Sequence, residues 1–167
     1  MLRTAHIALG FLNALNWALG VMFVLLFAFL AIEPDALPAK IETEFDPQQT
    51  GALVTWLWVS CAVTLATVPL AHVIFTRLRR MIRELQTGDV FSPSSIATLR
   101  TIALCMLGIS VGDLVFGLTS VKVSEQTGEY LGWSPSVSIW LVSGLLFILA
   151  RIFEEGRAMR EELEGTV

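Results

Sequence analysis

Charge is scarce in this chain: only 16% of its 167 residues are Asp, Glu, Lys or Arg, where a soluble domain carries about a quarter. An ordinary soluble domain is thereby excluded. Cysteine is scarce too, with Cys61 and Cys105 standing singly, so there is neither a CxxC redox pair nor a thiolate zinc site, and both read as packing thiols. The two histidines, His6 and His72, have no carboxylate or thiolate at ligand spacing, which leaves no metal set. GxSxG, HExxH and a Gly-rich loop ending in Lys-Ser/Thr are all missing, so hydrolysis, zinc proteolysis and phosphate cradling have no anchor. The expectation is a protein that is not an enzyme and carries neither cofactor nor metal.

What is abundant is apolar sequence, 54% of residues, gathered into long uncharged runs from Thr4 to Ile32, Pro47 to Thr76 and Tyr130 to Ala150. A hydrocarbon core of about 30 Å needs about 20 such residues in a helix. These runs, with a fourth stretch from Ile96 to Val121, predict an all-α integral membrane four-helix bundle as a single membrane domain, with spans at about 5–32, 52–75, 96–121 and 133–153. The first run is too long for a signal-peptide core and Ala36-Leu37-Pro38-Ala39 is a poor processing site, so it is expected to be retained as a membrane helix. The loop that follows, with Pro34, Pro38 and Pro47 among acidic residues, shows no strand pattern and predicts no folded ectodomain.

The net charge of −4 averages two different surfaces. Arg3, Arg77, Arg79, Arg80, Arg83, Arg100, Arg151, Arg157 and Arg160 account for nine of the 11 basic residues, and all fall at the termini or between spans two and three. The other two connections hold Lys40 and Lys122 against seven carboxylates. The positive-inside rule then places both termini in the cytoplasm. Trp56 and Trp58 opening span two, mirrored by Tyr130 and Trp133 before span four, suit the outer headgroup level.

Beyond span two the spacing of Phe75, Leu78, Ile82 and Leu85 continues a helix over 76–87, with Gly88 as its stop and Ser92-Pro93 as the cap and first residue of span three. Ile152, Phe153, Met159 and Leu163 likewise extend span four over 154–167. Helices two and four thus project into the cytoplasm. One extension is basic and the other acidic, and the two are expected to pack together. Pro69 should kink span two, with Thr64, Thr67 or a neighbouring helix satisfying the carbonyl it frees.

Polar residues inside the spans are the candidates for function. Asp113, an aspartate deep in span three, costs about 2.5 to 3.5 kcal/mol at a helix centre and should face the bundle, be hydrogen-bonded or be protonated. Asn13 and Asn16 lie at comparable depth on span one, sharing a face with Gly10 and Gly20, and the expectation is a polar clasp between spans one and three. A proton or cation site is the alternative, although no second membrane carboxylate completes a relay. Gly108 and Gly112 form a GxxxG face whose preferred reading is packing within the chain, with a homo-oligomer as the alternative. The arginines Arg77, Arg79, Arg80, Arg83 and Arg100 read first as topology signals and second as contacts to an anionic bilayer surface. Direct nucleic-acid binding is disfavoured, since a juxtamembrane cluster with no reading helix makes only phosphate contacts.

The segment Gly88-Asp89-Val90-Phe91, then Ser92-Pro93 and Leu99-Arg100, and the ending from Phe153-Glu154-Glu155-Gly156-Arg157 to Glu164-Gly165-Thr166-Val167 resemble an uncharacterised bacterial family. It is the four-span membrane family catalogued as domain of unknown function two-nine-seven-five, from whose usual tail this chain departs at Leu163 and Gly165. The resemblance implies a multi-pass protein of the bacterial cytoplasmic membrane, no established catalytic residue, and small helix-turn-helix regulators as neighbours. The expected function is therefore an interaction or regulatory module, with Arg77, Arg79, Arg80, Arg83, Phe91, Arg100, Glu155 and Glu162 as its cytoplasmic surface and a cytosolic helix-turn-helix regulator as partner. The alternative is a small transporter or ion-conducting subunit organised around Asp113, Asn13 and Asn16.

Overall fold

In the computed structural model the described residues are 2–34, 38, 42, 45–87 and 93–164. They form four helices and no strand: α1 (Leu2–Ile32), α2 (Pro47–Thr87), α3 (Pro93–Thr127) and α4 (Val137–Glu164). Each contains a segment long and apolar enough to cross a membrane, at Thr4–Ile32, Pro47–Arg83, Pro93–Thr127 and Val137–Met159. The fourth helix begins later than the sequence pattern suggested, because Trp133 to Ser136 belong to the preceding connection. The helices otherwise overrun the spans: the 41 residues of α2 rise about 60 Å, twice the hydrocarbon thickness.

The bundle is open. α1 packs on α2, α2 on α3 and α3 on α4, while among the described residues no Cα of α1 comes within 8 Å of α3 or α4, and none of α2 within 8 Å of α4. α1 and α4 are therefore outer helices, each attached by one seam, and most of their large apolar side chains, such as Phe11, Leu25, Leu141 and Leu145, are exposed to whatever surrounds the protein. In a bilayer that is acyl chain, and exposure of leucine there carries no hydrophobic cost.

Small residues set the seams. Gly20 of α1 is buried and leaves room for the Val68 side chain of α2, whose Cγ1 would stand 2.9 Å from a Cβ added at that glycine. Gly108 and Gly112 of α3 face Leu70 and the pair Val63 and Thr67 of α2, which lie 3.0 to 3.4 Å from the Cβ positions the glycines leave empty. The GxxxG face is thus occupied inside the chain, as expected of close helix approach. Between α3 and α4, Ser143 donates its buried hydroxyl to the backbone carbonyl of Ala103, itself fully buried, at 2.9 Å.

Pro69 lies within an uninterrupted α2. Thr67 bonds the Thr64 carbonyl at 2.9 Å and Asn16 of α1 donates to the Val68 carbonyl at 3.0 Å; neither reaches the Leu65 carbonyl, four residues before the proline, which is the one Pro69 frees. α2 ends at Thr87 and α3 begins with Pro93, a residue suited to the first helical position, where no amide is required. The assigned roles of Gly88, Phe91 and Ser92, and of the closing residues 165–167, fall outside the described residues.

Candidate functional site

Three polar constellations lie along the seams. The first joins α1 to α2. Asn16 reaches the Val68 carbonyl, and one turn away His72 Nδ1 meets Asn13 Oδ1 at 2.8 Å and Trp17 Nε1 at 3.1 Å. A single ring nitrogen offers one lone pair or one proton. The two contacts therefore belong to different tautomers: Nδ1 accepts from Trp17 when it is unprotonated and donates to Asn13 Oδ1 when it carries the proton. The Trp17 and His72 rings also meet edge to face at 5.4 Å. Further along the seam a Cβ at Gly10 would collide with the Arg79 guanidinium, whose Cζ lies 3.3 Å from that position. Arg79 therefore turns off the basic face and lies on α1.

The second constellation is on the far side of α3. Asp113 is half-buried, and its Oδ1 accepts from Trp133 Nε1 at 3.4 Å. Gly128, at φ 74°, closes α3 with its amide on the Ser124 carbonyl, in the left-handed cap conformation that glycine adopts at helix ends. Leu131 then bonds Ser124 Oγ at 3.0 Å, and a second turn at Gly132, φ 32°, sends Trp133 back along α3. Its indole lies on Gly117, where any Cβ would overlap the ring. A pocket of about 320 Å³ is left beside it, lined among others by Ser120, Glu125, Glu129 and Tyr130.

The expected clasp between Asp113 and Asn13 or Asn16 is therefore corrected. α2 takes up the small-residue faces of both α1 and α3, so span one never reaches span three, and the two amides bond α2 while the aspartate bonds the connection before α4. Trp56 and Trp58 open span two as read, but both point to protein: Trp56 donates to Ser120 Oγ at 2.8 Å, and Trp58 meets Phe27 edge to face at 5.0 Å.

The third constellation lies at the end where α2 stops, α3 begins and α4 finishes. Arg100 pairs with Glu154 at 2.7 Å, and Arg151 bridges Glu154 and Glu155 at 3.4 and 2.9 Å. Arg157 pairs with Glu161 at 2.6 Å. With side chains 38 to 68% exposed, each such pair contributes about 0 to 1 kcal/mol. A groove of about 390 Å³ runs between Pro93, Ala97 and Arg100 on α3 and Arg157, Ala158 and Glu161 on α4. Arg80, Arg83, Glu155 and Glu162 are exposed, and Arg77 is half-buried. The expectation that the extensions of α2 and α4 pack on each other is corrected: among the described residues no Cα of α2 comes within 8 Å of α4, and Ile152 and Met159 stay exposed. Phe91 falls outside the described residues, and among those described no group of three or more His, Cys, Asp or Glu could hold a metal ion.

Four antiparallel helices fit to cross a membrane, joined by glycine and amide seams and carrying their charged pairs at one end, define an α-helical multi-pass membrane protein. The chain belongs to the family described as "Protein of unknown function (DUF2975)", whose model matches residues 18–167. No curated protein and no solved structure matches it.

Proposed function

We propose that the protein is an interaction module of a bacterial cytoplasmic membrane, with both termini inside, that holds a cytosolic protein such as a small helix-turn-helix regulator on the helix it carries beyond the bilayer. The observation behind this reading is the helix carried past the expected spans at the end where α2 stops and α4 finishes. α2 is about twice as long as a bilayer core is thick, and α4 runs on through Arg151 to Glu164 at the same end, where Arg100 meets Glu154. The basic asymmetry of the connections supports the orientation, and the bacterial setting and the kind of partner rest on the family resemblance.

The chemistry follows from charge. Helix α4 ends with Glu154, Glu155, Glu161, Glu162 and Glu164, an acidic stretch that competes with DNA phosphates for the basic surface of a regulator. Since phosphate contacts weaken with salt, so would the exchange between membrane and operator. The test is quantitative pull-down from native membranes with the full chain and with Glu154 to Val167 deleted. Recovery of a helix-turn-helix protein by the full chain only is the expected result. Recovery of no cytosolic protein, together with Asp113-dependent movement of an ion or solute into liposomes, would replace this reading with the transporter.

A further inference from the structure

Arg79, in the basic cluster of α2, lies against α1. Its guanidinium occupies the space above Gly10, where a side chain of any size would exclude it. Its Nε is buried without a hydrogen-bond partner, and no ion pair among the described residues uses it. The nearest charges along α2, Arg77, Arg80 and Arg83, are of its own sign. A guanidinium is always charged, its donors form a planar fork, and a half-buried charge left uncompensated is unfavourable. Among the described residues no ion pair compensates it.

Depth says which anion is at hand. From Trp58 to Arg79 is 79 − 58 = 21 residues, about 32 Å of helix, which is one hydrocarbon thickness. With the tryptophans at one headgroup level, Arg79 stands at the other, where phosphates are the most concentrated anions. We infer that Gly10 and Arg79 form a phosphate-binding seat on the α1–α2 seam, with the headgroup of an anionic phospholipid as its occupant. Gly10 admits the guanidinium and exposes helix backbone beneath it, and Arg79 offers the fork. This seat is independent of any cytosolic partner.

The experiment is lipid retention and thermal protection of the full-length protein in detergent, titrated separately with phosphatidylglycerol, phosphatidylcholine and inorganic phosphate. Native mass spectrometry counts the lipid retained. Phosphatidylglycerol should protect the wild type. Arg79→Gln should bind it about five- to tenfold more weakly, Gly10→Ala should lose affinity to a similar extent, and Arg79→Lys should fall between. Arg83→Gln, which alters an exposed arginine with no such seat, should change binding less than twofold. Protection by inorganic phosphate alone, equally dependent on Arg79, would assign the seat to a soluble phosphate. Equal loss in Arg83→Gln and Arg79→Gln would overturn the proposal in favour of diffuse attraction, as would an Arg79→Gln protein that binds like the wild type. Should Gly10→Ala fail to assemble, the two arginine variants decide.

Discussion

Trp133 caps Asp113 from outside the helix that carries it, its indole N–H 3.4 Å from the carboxylate and its ring filling the space that Gly117 leaves on α3. The pairing makes the connection before α4 part of the membrane-embedded structure. It also accounts for a carboxylate within an apolar span without recourse to a neighbour on α1.

That arrangement fixes an order of effects. Gly117→Val should expel the indole and destabilise the protein by about 1 to 3 kcal/mol, the usual cost of overpacking. Asp113→Asn keeps an acceptor and should be tolerated, while Trp133→Phe should lose about 0.5 to 1.5 kcal/mol for the hydrogen bond. Thermal unfolding in detergent reads all three. In a Trp133→Ala background, Gly117→Ala should cost nothing, and an undiminished cost there would mean that the glycine serves another neighbour.

The GxxxG face belongs to α2. Gly112→Leu should lower thermal stability by wedging against Val63 and Thr67 without changing the mass of the detergent-solubilised particle by light scattering. A change of oligomeric state with stability preserved would show the glycines working between chains.

Asn16 is the cross-helix donor at the proline of α2. Its replacement by leucine should cost about 0.6 to 1.7 kcal/mol, the range for hydrogen bonds between membrane helices, whereas Leu15→Ala on the exposed side of α1 should stay within about 0.5 kcal/mol. Equal effects in the same unfolding assay would dismiss the seam as a source of stability.

Orientation is open to single-cysteine labelling in intact cells, with Cys61 and Cys105 replaced. A membrane-impermeant reagent should modify a cysteine at Gln49 and leave one at Gln86 untouched. The reverse pattern would invert the topology and with it the proposed cytoplasmic surface.

Helix number was legible because apolar runs of bilayer length have few other solutions, and so was the face of α1 containing Gly10, Asn13, Asn16 and Gly20, because small and amide side chains are costly toward lipid. Which helix that face meets was not legible. Periodicity describes one helix at a time, so the aspartate and the two asparagines, similar in depth, looked like partners although α2 separates their seams. The seat for Trp133 left a faint trace in the spacing of Asp113 and Gly117, one helical turn apart on one face. The position of Arg79 left none, since a glycine in α1 and an arginine in α2 become related only after the helices are placed side by side.

Among the described residues every seam joins a helix to its immediate successor in sequence, the kind of connectivity that keeps contacts local in helical bundles. α1 can wait in the bilayer for α2, and each later hairpin docks on the helix made just before it, so assembly can follow the order of synthesis with no late closure between the first helix and the last. A substitution in one seam then weakens only what lies beyond it: a defect at Asn16 would loosen α1 on an otherwise intact α2–α3–α4 unit, and loss of the Ser143 contact with Ala103 would loosen α4 on the three helices already in place.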